Sequence, residues 1–192
     1  GVTCGDVDAD GDIDLYITNF GDDCLYYNDG TGQFTKASNT ASAAANDFSV
    51  SSCFLDYDRD GDLDLFVTRY LDWSVDIAGG CFNLRGGRDY CNPLRYGRPL
   101  PDRLLRNDGQ GHFTDVSVSS GISGVKGNGL AVASTDLNGD GWPDVYVAND
   151  KSPNALWINN QDGTFTESAG QMGCATGLDG TTRAGMSVAF CD

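Results

Sequence analysis

One acidic nine-residue pattern occurs three times in this chain, and that repetition limits the possible folds more than any other feature. Asp6-Val-Asp-Ala-Asp-Gly-Asp-Ile-Asp14 returns as Asp56-Tyr-Asp-Arg-Asp-Gly-Asp-Leu-Asp64 and again as Asp136-Leu-Asn-Gly-Asp-Gly-Trp-Pro-Asp144. A repeat must be recognised before any residue-level reading, because each unit is one supersecondary element that buries its apolar face only against its neighbours. Each nonamer leads into a short alternating apolar run, at Leu15–Asn19, Leu65–Arg69 and Val145–Asn149. A second run follows and ends in Asn, at Leu25–Asn28, Leu104–Asn107 and Leu156–Asn159. After a Gly-containing turn comes a Phe-Thr pair, at Phe34, Phe113 and Phe165. Ahead of each loop lies a further small-residue run, at Ser49–Leu55, Leu130–Ser134 and Met186–Phe190. All of these read as strands, being short, β-branched or aromatic, and bounded by turn residues.

The unit is therefore strand, Asp loop, strand, turn, strand, Gly turn, strand. Four antiparallel strands in about 50 residues is the size of one β-propeller blade. The expected fold class is all-β: a partial β-propeller of four-stranded antiparallel blades, with the Asp loops between first and second strands. The expected divisions are repeat 1 over residues 1–47, repeat 2 over 48–127, repeat 3 over 128–183, and the start of a fourth over 184–192, where Asp192 aligns with the first Asp of a loop. From the last loop Asp to the Phe is 20 residues in the first unit and 21 in the third, but 49 in the second, which locates an insertion near residues 71–99. Gly1–Gly5 reads as the tail of a pre-loop strand, so the chain is expected to be three blades cut from a longer array, with the remaining blades of the parent protein as its neighbours.

Composition narrows the function classes. The net charge is −16, from 28 acidic residues of which 27 are Asp. Such a surface repels a polyanion, which excludes a nucleic-acid binder that works through phosphate contacts. Glu is a helix former and Asp is not, so the near absence of Glu, with 26 Gly, agrees with turns and strands. No apolar stretch reaches the roughly 18 residues that span a bilayer. Seven cysteines favour an oxidising compartment, and an extracellular or secreted location is expected, periplasmic or surface-bound if the source is bacterial.

Oxygen-bearing residues at loop positions 1, 3, 5, 7 and 9, with Gly at position 6, suit a hard cation that takes six to eight oxygens, and point to Ca²⁺ at about three sites. In the first loop Asp6, Asp8, Asp10 and Asp14 are the expected side-chain ligands and Asp12 offers its carbonyl. The second repeats this with Asp56, Asp58, Asp60, Asp64 and the carbonyl of Asp62, and the third uses Asp136, Asn138, Asp140 and Asp144. Position 7 there is Trp142, which has only a carbonyl to give. An EF-hand would need Glu at position 12 and flanking helices, whereas Ile17, Val67 and Val147 stand there. Magnesium is disfavoured because it keeps several waters.

These residues resemble the FG-GAP or VCBS repeat of integrin α-subunit propellers, whose calcium loops join the first and second strands of a blade. The segment from Cys81 to Asp150, with Tyr90-Cys91-Asn-Pro93, Asp102-Arg-Leu-Leu-Arg-Asn107, Gly109-Gln-Gly-His-Phe-Thr-Asp115 and Asp140-Gly-Trp-Pro-Asp144, is similar to the cartilage acidic protein (ASPIC and UnbV) group of secreted propellers. The resemblance implies a calcium-stabilised propeller and says little about ligands.

Six of the 12 basic residues, Arg85, Arg88, Arg95, Arg98, Arg103 and Arg106, cluster in and just after the insertion. They read either as a recognition loop for a protein or glycan ligand or as anchors paired with nearby Asp. Cys81 and Cys91 are expected to form a disulfide that staples a segment with little core of its own. Trp142 and Trp157 occupy repeat positions and are expected to pack between blades; Trp73, in the insertion, is open to packing or to a sugar platform. Catalytic groups are sparse. His112 is the sole histidine, at a turn position held by Gln33 and Gly163 in the sister units, and no nucleophile or zinc motif is present. The expected function is a non-enzymatic, calcium-binding adhesion or ligand-binding module. The alternative is part of a calcium-dependent polysaccharide lyase or hydrolase on a propeller, for which the arginines would be the candidate cluster.

Overall fold

The computed structural model describes residues 1–38 and 47–191. It contains three four-stranded antiparallel sheets. The first runs in the order β1 (Val2–Gly5), β2 (Asp14–Ile17), β3 (Cys24–Asn28), β4 (Phe34–Lys36). The second is built from β5 (Ser49–Leu55), β6 (Asp64–Arg69), β9 (Arg103–Asn107) and β10 (Phe113–Asp115). The third runs β11 (Gly129–Thr135), β12 (Asp144–Asn149), β13 (Ala155–Asn159), β14 (Phe165–Glu167). Between β6 and β9 the insertion forms a separate two-stranded hairpin, β7 (Cys81–Phe82) with β8 (Arg88–Asp89). No helix among the described residues is long and apolar enough to cross a membrane.

The register is the same in all three sheets. Cys4, Phe54 and Ser134 pair with Leu15, Leu65 and Val145, which in turn pair with Tyr26, Leu105 and Trp157. Equivalent residues therefore face equivalent directions, and this decides how the sheets stack. Val7, Tyr16 and Leu25 of the first blade pack on Leu65, Val67 and Leu105 of the second. On the other side of the second blade, Tyr57, Phe66 and Leu104 pack on Val145, Val147 and Trp157 of the third. Neighbouring side chains of β6 thus enter different cores, and its first five residues are all buried, whereas β2 alternates between buried and half-buried. Burying a side chain such as Phe66 is worth roughly 1.5–3 kcal/mol.

Trp157, 2% exposed, lies in the core between the second and third blades, as its repeat position suggests. Trp142 is half-buried and outside that core. Trp73 meets Phe20 edge-on at 5.4 Å, and Phe20 continues to Phe48 and Tyr70 in a row of edge contacts, so packing accounts for part of its surface. Met186–Phe190, expected as a strand, is irregular: a strand needs a hydrogen-bonding neighbour, and it has none among the described residues. Asp192 lies outside the described residues.

The path of the chain fixes which end each feature occupies. The Asp loops join first to second strands, so the connections from second to third strands, including the insertion, lie at the opposite end. There the same capping device recurs: Asp23, Asp102 and Asn154, each just before a third strand, accept the amide of Asn19, Arg69 and Asn149 at 2.7, 3.1 and 3.0 Å.

Candidate metal centres

Each Asp loop bends back on itself through two left-handed residues. Position 4 has φ 61° at Ala9, 60° at Arg59 and 78° at Gly139, and the position 6 glycines have φ 95°, 97° and 87°. Ala and Arg adopt this region at a cost of about 1–2 kcal/mol each, so the loop is held by other interactions. These come from the position 1 carboxylates. Asp6 accepts the amides of Asp10 and Gly11 at 3.1 and 3.0 Å, Asp56 that of Gly61 at 3.2 Å, and Asp136 those of Gly139, Asp140 and Gly141 at 2.7, 3.1 and 2.8 Å.

Position 9 ties the loop to the sheet. Asp14, Asp64 and Asp144 are fully buried, and each accepts two amides: that of loop position 2 (Val7, Tyr57, Leu137) and that of the third-strand Asn (Asn28, Asn107, Asn159), all at 2.9–3.0 Å.

Carboxylate oxygens of Asp6, Asp8 and Asp14 come within 4.8 Å of one another, and so do those of Asp56, Asp58 and Asp64. Positions 1, 3 and 9 are therefore together in the first two loops. Position 5 is outside these two groups; Asp10, Asp60 and Asp140 accept the amides of Asp12, Asp62 and Trp142 at 2.9, 2.9 and 2.8 Å. Position 7 side chains point toward the next turn. A side-chain carbon on Gly30 would lie 2.5 Å from Asp12 Oδ2, and one on Gly109 2.6 Å from Asp62 Oδ2.

The electrostatics differ between loops. Burial and neighbouring carboxylates raise Asp8 and Asp58, and burial, followed by Asp58 and Asp60, pushes Asp64 up to about 7. Asp8 Oδ1 and Asp56 Oδ1 are buried without a hydrogen-bond partner. Crowded carboxylates with orphaned oxygens suit an oxygen-seeking divalent cation, which would supply the missing partner. The third loop is different. Asn138 stands at position 3, and the Asn138 and Gln161 amides donate to Asp140 at 2.9 and 3.1 Å. Asp140 is lowered, first by the Trp142 amide.

Sequence reasoning noted the recurring third-strand Asn without giving it a role; its place at one fixed position in every unit was the available signal. Elsewhere, Cys81 and Cys91 form a disulfide with Cα atoms 5.3 Å apart. The arginines divide. Arg98 pairs with Asp72 at 2.5 Å, and Arg103 with Asp47 at 2.5 Å and Asp115 at 3.9 Å, while Arg85 and Arg88 are exposed and make no ion pair among the described residues. His112 is 61% exposed beside Asp108.

The model of the FG-GAP-like repeat matches residues 6–67, 94–147 and 136–192, and so takes in all three Asp loops. The chain belongs to the FG-GAP-like repeat family. Its three four-stranded antiparallel sheets are the blades of a partial propeller. Cartilage acidic protein 1 of Homo sapiens is 24% identical over 214 aligned positions, covering 100% of this chain and 28% of that protein. Cartilage acidic protein 1 of Xenopus tropicalis is 36% identical over 58 residues, covering 30% of this chain and 9% of that protein. This FG-GAP chain thus spans less than a third of the length of the curated relatives it matches. A solved Agrocybe aegerita lectin structure, described as recognising non-reducing terminal N-acetylglucosamine, overlaps 85% of this chain and 49% of its own at 16% identity, with a TM-score of 0.30.

Proposed function

We propose that this chain is a calcium-binding segment of an extracellular propeller that serves adhesion or ligand binding and is not an enzyme. The observation that carries this reading is the pair of three-carboxylate clusters, each with a buried carboxylate oxygen that lacks a partner. Asp6, Asp8 and Asp14 would hold one ion and Asp56, Asp58 and Asp64 a second, completed by Asp10 and Asp60 on rotation and by the carbonyls of Asp12 and Asp62. Asp136, Asn138, Asp140, Asp144 and the carbonyl of Trp142 would hold a third. When bound, calcium supplies positive charge to carboxylates that otherwise repel, so binding free energy becomes folding free energy.

The extracellular placement rests on the Cys81–Cys91 disulfide and on the family. At the end opposite the loops, the stapled hairpin carries exposed Arg85 and Arg88 beside exposed Phe82 and Tyr90. Exposed cations that make no ion pair among the described residues, with aromatic neighbours on an otherwise acidic body, fit an anionic ligand. Of the arginines that a lyase or hydrolase would need, Arg98 is engaged with Asp72 and Arg103 with Asp47 and Asp115, which favours the binding module over that alternative.

Calcium titration by calorimetry, with a chelator-treated control followed by thermal melting, tests the reading. Two or more sites per chain and a higher Tm with calcium are expected; fewer than two sites, or an unchanged Tm, overturns it. A panel of anionic glycans and acidic proteins, scored for retention and for cleavage, tests the ligand. Retention lost in Arg85→Ala/Arg88→Ala is expected, and product formation would establish the enzyme instead.

A further inference from the structure

The asparagine that ends each third strand also contacts a second blade. Asn107, 1% exposed, donates its side-chain amide to the carbonyl of Val7 at 2.7 Å, across 100 residues of sequence. Asn159, 3% exposed, does the same to the carbonyl of Tyr57 at 2.8 Å, across 102 residues. Val7 and Tyr57 hold position 2 of the first and second Asp loops, between the clustered carboxylates at positions 1 and 3. Their amides are already fixed by Asp14 and Asp64 at 3.0 Å, so each of these two residues is held at both its N–H and its C=O. The third loop lacks this second tether: Leu137 donates to Asp144 at 2.9 Å, but no side chain among the described residues donates to its carbonyl. Asn28, the first-blade counterpart, donates to Ile13 of its own blade at 3.2 Å, as Asn107 does to Leu63 at 3.1 Å and Asn159 to Pro143 at 3.3 Å, but among the described residues it has no bond to a second blade.

We propose that Asn107 and Asn159 are positioning residues for the metal loop of the preceding blade. By fixing the carbonyl between positions 1 and 3, each sets the spacing of two carboxylates before an ion arrives. The ordering cost is then met during folding rather than during binding. Each clamp is itself anchored in its own blade, since Asp64 accepts the Asn107 amide and Asp144 the Asn159 amide, both at 2.9 Å. Metal loops of adjacent blades are thereby joined in series, each second-blade or third-blade loop bracing the one before it. This inference rests on the calcium reading above.

The test is a calcium titration of the whole chain followed by amide NMR, with Gly11, Gly61 and Gly141 as reporters of their own loops. Asn107→Ala removes three bonds within its own blade, to Leu63, Gly109 and Gly111, and the one that reaches the first loop, and loss of that one to Val7 predicts a calcium midpoint at Gly11 raised roughly three- to tenfold. Asn159→Ala does the same at Gly61. Each asparagine also caps its own turn and loop, and Asn28→Ala controls for that role: it is expected to affect Gly11 alone. Should Asn107→Ala fail to fold, Asn159→Ala carries the test. The clamp is overturned if Gly11 is unmoved by Asn107→Ala and Gly61 by Asn159→Ala, or if either variant shifts all three reporters equally. A wild-type chain whose three glycines do not respond to calcium overturns the calcium reading itself, and the clamp's role in metal binding with it.

Discussion

The guanidinium of Arg59 lies over the indole ring of Trp142, with its Cζ 5.3 Å from the ring centroid. Arg59 occupies position 4 of the second Asp loop and Trp142 position 7 of the third, so a cation from one loop covers the residue that replaces Asp in the next. A contact of this kind is worth about 0.5–1 kcal/mol at an exposed site. Arg59→Ala is expected to lower stability by that amount in chemical denaturation and to make one tryptophan more accessible to acrylamide quenching.

Asp102 couples stability to pH. Burial pushes its carboxyl up to about 7 from an ordinary 3.8, against the lowering effect of the Arg69 amide and guanidinium. The folded state therefore favours the protonated acid. Its contribution is fully present below pH 3.8 and is lost as pH rises toward about 7. Asn154, at the same position in the third blade, accepts the equivalent amide without ionising. Asp102→Asn is expected to keep the cap and remove this pH dependence, so that Tm rises more at pH 8 than at pH 4. Equal Tm changes at both values would contradict it.

Reduction of Cys81–Cys91 is expected to act locally. The bond closes a segment of sequence separation 10 around the β7–β8 hairpin, which contributes no residue to either core cluster. Limited proteolysis under reducing conditions should cut first between residues 75 and 98, while the Tm of the three-sheet body changes little.

Gly109 is a position where a methyl group is costly. Its φ of 81° is left-handed, and an added carbon would lie 2.6 Å from Asp62 Oδ2. Gly109→Ala is expected to destabilise the chain by roughly 1–3 kcal/mol, read from a denaturant midpoint at constant m.

Much of this architecture is legible in sequence because the repeat fixes it locally. The nonamers, the alternating runs and the closing Phe-Thr pairs define strands whose register recurs in each sheet, and the carboxylates at positions 1, 3 and 9 fall together because the left-handed residues at positions 4 and 6 fold the loop. What was not legible depends on contacts between units. The reach of Asn107 to Val7 spans a blade boundary, and residue type alone does not reveal which amide each loop carboxylate accepts. Met186–Phe190 shows the converse limit: it carries a strand-like pattern, but a strand exists only when a neighbour supplies its hydrogen bonds.

The division of β6 between two cores has a consequence for motion. Leu65 and Val67 belong to one cluster and Phe66 to the other, so this strand cannot separate from either neighbour without exposing apolar surface on that side. In a stack held by nearest-neighbour contacts, the outer sheets can open singly but the middle one can open only when both interfaces fail. Amide hydrogens of Leu65–Val67 are thus expected to exchange last, by whole-chain unfolding, and to set the slow limit against which the exposed edge strand β4 is measured.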